Sequence, residues 1–261
     1  MIYVCVPVKN NAATVGLLLW KIRQVFGQST REYQLLVTDD GSSDETPEVL
    51  ERYQRALPLT VVRPEAPGPA AAYAALLAEA VRRSDRLKRD TAVVIPADFR
   101  ISPEGIPELL RRIESGADLA VADTPVEGLP PAWRLLSRLT PWLLRPGARV
   151  PGVRDFLSGC LAVRLVTARG AVRDRNGGPF LATDGLTSRA ELVARLAAAA
   201  RQTAGVPLPC RHPAALSISA ALTLALRLRR LGRTLHPRIA EPRMADEAPA
   251  PPASPARSRA S

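Results

Sequence analysis

The sequence predicts an α/β domain whose mostly parallel sheet is covered by helices on both faces. Three observations predict it. Short β-branched runs alternate with longer stretches of helical spacing, the pattern of repeated βα units. Polar clusters follow three of those runs, where ligands bind in such sheets. The chain is 261 residues long and 46% hydrophobic, enough for one domain with a proper core.

The strand-like runs are Ile2–Val6, Gln34–Thr38, Leu59–Val62, Ala92–Ile95, Leu119–Val121 and Leu161–Leu165. Helical spacing fills Val15–Phe26, Pro47–Leu57, Ala70–Arg83 and Pro103–Glu114. Leu129 to Gly152 interrupts the alternation and reads as a loop with an amphipathic helix around Trp133–Leu144. Gly177 to Gly185 reads as a mobile connection and Ser188–Arg201 as a helix. Val206–Pro209 suits an edge strand, where Pro is tolerated. Ala214–Leu231 is apolar, then basic. From Glu241 the chain is rich in Ala, Pro and Ser without a periodic apolar face, the composition of a disordered tail. The expected division is a binding domain over 1–211, an amphipathic basic segment over 212–240 and a tail over 241–261.

The net charge is +11, and the basic residues are Arg apart from Lys9, Lys21 and Lys88. A compositional bias toward Arg and Ala explains this, as does a surface for phosphates, since guanidinium groups bind phosphate in bidentate fashion. Nucleic acid is excluded as a partner: aromatic content is 4%, leaving few stacking platforms, and no nucleic-acid-binding motif is present. Three widely spaced cysteines, Cys5, Cys160 and Cys210, argue against a disulfide framework and fit a reducing cytosol. No signal segment opens the sequence, so a cytoplasmic protein is expected.

Asp39-Asp40-Gly41-Ser42-Ser43-Asp44 is the sharpest local motif. Two carboxylates at a strand end can accept hydrogen bonds from a base or from ribose hydroxyls, and Gly41 permits a tight turn beside a ligand. Helix capping accounts for Asp44 but not for the adjacent pair.

Val6-Pro7-Val8-Lys9-Asn10, followed by Val37 to Thr46, resembles the opening of family 2 glycosyltransferases. The resemblance implies the GT-A fold, a Rossmann-like sheet, and a nucleoside pocket lined by Pro7, Asn10, Asp39, Asp40 and Gly41. Arg63 and Gly68 resemble the loop before the family's third helix. Ile95 to Glu104 resembles its metal-binding stretch. Val153 to Cys160 resembles an acceptor-side motif of the polyprenyl- and dolichol-phosphate sugar transferases, which puts Asp155 at the acceptor. Glu191-Leu192-Val193 and Val206-Pro207-Leu208 resemble that subgroup's later helix and strand. The implied reaction moves a sugar from a nucleoside diphosphate of the UDP or GDP type to a lipid phosphate or a hydroxyl.

The metal motif departs from the family. Mg or Mn in such a reaction neutralises the leaving diphosphate and needs several oxygen ligands. Pro96 stands in place of the first carboxylate and Arg100 in place of a glutamine, leaving Asp98 alone. Three readings of Arg100 stay open: a cation replacing the metal on the diphosphate, a sign that the protein only binds nucleotide or a partner in a regulatory role, or a surface residue before a helix. A hydroxyl acceptor needs a general base, for which Asp155 and Asp184 are candidates. A lipid phosphate needs positioning cations instead, from Arg134, Arg138, Arg164 or Arg211. His212 and His236 lack ligand spacing. Ala214–Leu226 is too short for a membrane span, which takes ~20 apolar residues. With the arginines that follow, it suits either an anionic membrane surface at the inner face or a core helix with a basic last turn.

Overall fold

A computed structural model describes residues 1–125, 129–145, 147–148, 150–173, 179–211 and 216–235. Strand β1 (Ile2–Val8) is followed by α1 (Ala12–Gly27), β2 (Tyr33–Asp39), α2 (Thr46–Gln54), β3 (Leu59–Val62) and α3 (Pro69–Arg83). Next come β4 (Thr91–Val94), a 3-10 turn at Pro103–Gly105, α4 (Ile106–Glu114) and β5 (Leu119–Asp123). The chain continues through α5 (Pro131–Leu144), β6 (Leu161–Arg164), α6 (Leu165–Arg173), α7 (Leu186–Ala199), β7 (Thr203–Pro207) and α8 (Ile218–Thr234).

The strands form one seven-stranded sheet in the order β3-β2-β1-β4-β6-β5-β7. Strand β6 is antiparallel to both neighbours, and every other pairing is parallel. The carboxyl ends of β1, β2, β4 and β5 therefore share one edge. Helix α1 buries Val15, Leu18, Leu19, Ile22 and Phe26, a stripe at helical spacing. It covers one face of the sheet with α2 and α4. The other face is covered by α3, α5, α6, α7 and α8, through side chains such as Leu76, Leu136, Leu192 and Leu228. Truncating a fully buried residue such as Ile22 or Leu76 to Ala costs about 2–5 kcal/mol.

Several boundaries differ from the sequence reading. Strand β1 runs on through Pro7 and Val8, because pairing with β4 stops at Cys5↔Val94 while pairing with β2 continues to Val8↔Asp39. Beyond Cys5 the strand is paired on one side, where a missing N–H is tolerated. The run Leu161–Leu165 divides: Leu165 opens α6, its N–H donating to the Asp90 carbonyl at 3.0 Å, with no Gly or Pro to mark the turn. Strand β7 starts at Thr203 and ends at Pro207, and as expected it lies at the sheet's edge. Helix α8 starts at Ile218, with Ser217 Oγ accepting the Ala220 N–H at 3.2 Å. Cys5 and Cys160 are buried core residues, and all three thiols are free. Residues 212–215, both histidines and the stretch 241–261 lie outside the described residues.

Candidate donor and acceptor site

The strand order turns outward from β1, with β2 on one side and β4 on the other. This switch point opens a crevice at the carboxyl edge, and two loops there are laced together. Asp39 Oδ1 accepts from the Ser42 N–H at 2.9 Å and the Ser42 hydroxyl at 2.6 Å. Ser42 Oγ in turn accepts the Asn10 N–H at 2.8 Å, and Asn10 Oδ1 accepts the Ser43 N–H at 2.8 Å. Asp44 accepts from the Ala12 N–H at 3.0 Å and the Thr46 hydroxyl at 2.5 Å. The Thr46 hydroxyl bond, followed by the Ala12 N–H, holds the Asp44 carboxyl below its ordinary range. Asp40 turns the other way and is buried: Oδ1 accepts the Gly68 N–H at 2.5 Å and Oδ2 accepts Lys9 Nζ at 3.1 Å. Gly68, with φ +112°, immediately precedes α3. Asp184 Oδ1 would lie 3.2 Å from a Cβ placed there, so the start of α7 reaches the start of α3.

The loop after β4 joins this cluster, since the Thr14 hydroxyl donates to the Ala97 carbonyl at 2.7 Å. Among the described residues, the two non-glycine residues with left-handed backbone are Asn10 (φ 52°) and Phe99 (φ 55°), both in these loops. Such strain persists where surrounding structure enforces it, often at functional sites.

The guanidinium beside Asp98 belongs to Arg189. Arg189 Nη2 donates to Asp98 Oδ2 at 3.0 Å, and Nη1 donates to the Ser158 carbonyl at 3.2 Å and the Leu157 carbonyl at 3.4 Å. Asp98 Oδ1 accepts the Arg100 backbone N–H at 3.2 Å. Gly159 makes room for this: at φ +70°, a Cβ would stand 2.8 Å from Arg189 Cδ and 3.1 Å from Pro96 Cγ. Gly159→Ala is therefore expected to lower stability by about 1–3 kcal/mol. Urea denaturation measures this, and an unchanged midpoint would refute the close approach.

The Arg100 guanidinium lies instead over the Trp133 ring, 5.3 Å from its centroid, and its Nε is buried without a hydrogen-bond partner. Ser158 Oγ is also buried and unpartnered. Unsatisfied buried polar atoms are uncommon, and here two of them lie at the ends of adjacent site loops. The chain after β7 returns to this corner: the Arg211 N–H donates to the Arg100 carbonyl at 2.7 Å, and its guanidinium stands 5.1 Å from the Phe99 ring centroid. Burial pushes the Cys210 thiol up, with Arg100 opposing it.

Asp155 is buried, and its Oδ1 accepts the Leu157 N–H at 2.8 Å and the Ser158 N–H at 2.9 Å. It braces the turn whose carbonyls Arg189 holds. The Asp155 N–H donates to Asp123 Oδ1 at 2.9 Å. Burial raises the Asp123 carboxyl above its ordinary range, the Asp155 N–H opposes this, and the Asp155 charge adds to it. Of the other arginines considered, Arg164 lies at the opposite edge, at the end of β6 beside the start of β4, and donates to the Ala117 and Ile113 carbonyls. It cannot position an acceptor. Arg138 is exposed on α5.

The residues present do not fit a divalent cation held by protein carboxylates. Among the described residues no cluster of three His, Cys, Asp or Glu could hold one. Asp98 is paired with Arg189 across 3.0 Å, and Pro96 offers no donor.

Sequence reasoning missed Arg189 and Asp123. Arg189 sits in a helix of ordinary amphipathic pattern. Asp123 carried a usable signal, as a lone carboxylate at the end of the fifth strand. Glu191 is 1% exposed; it accepts from the Ala182 and Thr183 N–H groups at 2.9 Å each and pairs with Arg195. It shapes the loop before α7.

Known proteins bear on this arrangement. The chain is 28% identical over 116 residues to the undecaprenyl-phosphate 4-deoxy-4-formamido-L-arabinose transferase of Photorhabdus laumondii, covering 44% of this chain and 34% of that protein. It is 27% identical over 152 residues to the dolichol-phosphate mannosyltransferase of Pyrococcus furiosus, covering 53% and 39%. The matches span well under two thirds of these relatives. The fold is similar to glucosyl-3-phosphoglycerate synthase from Mycobacterium tuberculosis, solved with Mn2+, UDP and glucosyl-3-phosphoglycerate, at a TM-score of 0.62 and 22% identity over 93% of this chain and 81% of that one. It is also similar to S. aureus TarS in complex with UDP-GlcNAc, at 0.58 and 16% over 90% and 66%. The fold is thus of the GT-A type. The model of the glycosyl transferase family 2 matches residues 3–168, well over half of the chain, and the protein belongs to that family.

Proposed function

We propose that this chain transfers a sugar from a nucleoside diphosphate donor of the UDP or GDP type to a lipid-phosphate acceptor at the inner face of a membrane. The observation that carries the reading is the juxtaposition of the Asn10–Ser42–Asp39 lacing, Asp98 and Arg100 at the switch point of a family 2 domain. Pro7, Asn10, Asp39 and Gly41 line the nucleoside side, and Asp40 braces it. Arg100 stands at this edge with its guanidinium over Trp133 and its Nε unsatisfied, which supports a role on the diphosphate, and Arg189 holds Asp98 in place. A lipid phosphate is already an anion and needs cations more than a base. Arg100 and Arg211 at the corner beside Asp155 support that choice.

In this reading the guanidinium groups do the work that a divalent cation does elsewhere. Calorimetric titration of UDP and GDP is expected to give the same affinity with EDTA as with Mn2+. Arg100→Ala is expected to weaken binding about tenfold or more. Binding that requires Mn2+ would refute the substitution of arginine for metal. Absence of binding in both conditions would favour a non-catalytic, regulatory relative.

A hydroxyl acceptor is the second reading, and Asp123 favours it, because it lies at the carboxyl end of β5 beside Asp155 and burial raises its carboxyl above its ordinary range. The folded state holds this proton more tightly than the unfolded chain. That contribution to stability is complete below the ordinary carboxylate range and is lost as pH rises through the folded value. Asp123→Asn keeps the acceptor for the Asp155 N–H, so it is expected to be more stable than wild type at neutral pH, by less than about 1 kcal/mol at this half-buried position. The gap should close below about pH 4. Thermal melts against pH check this. Turnover retained in Asp123→Asn supports a phosphate acceptor, and turnover abolished in a folded variant supports a hydroxyl.

A further inference from the structure

Nine large hydrophobic side chains are exposed among the described residues, and six of them lie on α5 and α8. On α5 they are Leu135, Leu139 and Trp142, at i, i+4 and i+7. On α8 they are Ile218, Leu222 and Leu226, at i, i+4 and i+8. Each set forms one stripe of its helix. The opposite sides are already in use, α5 burying Trp133, Leu136 and Leu143, and α8 burying Leu224, Leu228 and Leu231. The two helices meet closely: a Cβ at Gly232 would stand 2.5 Å from the Leu143 carbonyl oxygen. Both uncovered stripes thus belong to one helix pair.

The charge around them has one sign. Neither helix contains an acidic residue. Arg229 and Arg233 continue the stripe of α8 at helical spacing, and Arg138 and Arg145 flank that of α5. All four are exposed and form no salt bridge among the described residues. No helix of the described residues is long and apolar enough to cross a membrane. A second copy of the chain would bring the same arginines against these. The tail beyond residue 241 has no apolar periodicity to cover the stripes. Anionic lipid satisfies both features: acyl chains take the leucines and the tryptophan, and headgroups take the guanidinium groups.

We propose that α5 and α8 together form a docking surface for an anionic bilayer, with both helices lying in its interface. Helix α5 also carries Trp133, on which Arg100 stacks, so docking brings the acceptor side of the site to the lipid. That consequence rests on the lipid-phosphate reading above, whereas the docking itself does not.

The test is sedimentation of the full chain with phosphatidylcholine vesicles, with and without about one third phosphatidylglycerol. Wild type is expected to bind the anionic vesicles, and salt to weaken that binding. Leu222→Glu/Leu226→Glu and Leu139→Glu/Trp142→Glu should each lower partitioning about tenfold or more. Leu17→Glu/Trp20→Glu, on the exposed face of α1 across the sheet, should leave it unchanged. UDP and GDP titration on the same samples separates the two proposals: vesicle binding without nucleotide binding keeps the docking surface and refutes the donor site. Three outcomes overturn the docking surface: no sedimentation of wild type at low salt, equal loss in the α1 variant, or a solution dimer that the α8 variant dissociates.

Discussion

Arg189→Met is expected to lower stability by about 2–4 kcal/mol and to weaken UDP or GDP binding at least about tenfold. The guanidinium is largely buried and holds Asp98 and the Leu157 and Ser158 carbonyls at 3.0–3.4 Å. Its loss strips two buried carbonyls of a charged donor and frees a carboxylate whose exposure is 33%. Breaking one side of such a buried network costs several kcal/mol in general. Water reaching Asp98 keeps the cost below the top of that range. Arg189→Lys retains the charge but not the fork that spans three acceptors, and should recover less than half of the loss. The variant also has a signature that simple unfolding lacks. With Asp98 free, added Mn2+ should strengthen nucleotide binding in Arg189→Met and leave wild type unchanged. Urea denaturation and calorimetry read the two effects. Equal stability and affinity in variant and wild type would make Arg189 a bystander.

The second large effect separates two adjacent carboxylates. Asp40→Ala is expected to cost about 2–3 kcal/mol, because the buried carboxylate accepts the Gly68 N–H at the start of α3. A charge-assisted bond at a helix N-terminus carries most of this. The Lys9 partner adds little, since that side chain is 57% exposed. Asp40→Asn keeps an acceptor and should recover about half. Asp39→Ala should behave in the opposite way, losing nucleotide affinity about tenfold with stability changed by less than about 1 kcal/mol. Its oxygens shape the Ser42 turn at the open edge rather than a helix start. Reversal of the two patterns would refute this division of labour.

Much of the fold was legible in the residues. Alternating apolar runs and helical stripes predict the parallel sheet, since each periodicity demands burial on a particular face. The polar clusters after the first, second and fourth runs meet at the carboxyl edge for the same reason. Elements without punctuation were harder to read. Helix α6 follows β6 directly, with neither a Gly nor a Pro between them, and the Leu165 N–H at the turn donates to the Asp90 carbonyl just before the neighbouring strand β4.

The sequence by itself determined the fold class, the family and the loops that build the site, because these depend on local patterns and short motifs. Only the tertiary structure decided which side chains meet. Arg100 is the cation that the sequence singles out and Arg189 is not, yet Arg189 reaches Asp98 from 91 residues away, and Arg100 turns onto Trp133. Asp39 and Asp40 read as one pair, yet Asp39 closes onto Ser42 while Asp40, just past the strand, turns to Gly68 and Lys9. The apolar stripes of α5 and α8 became visible only once the core had taken its share of each helix. Contacts between distant segments are set by how the layers pack, and no spacing within a single segment encodes them.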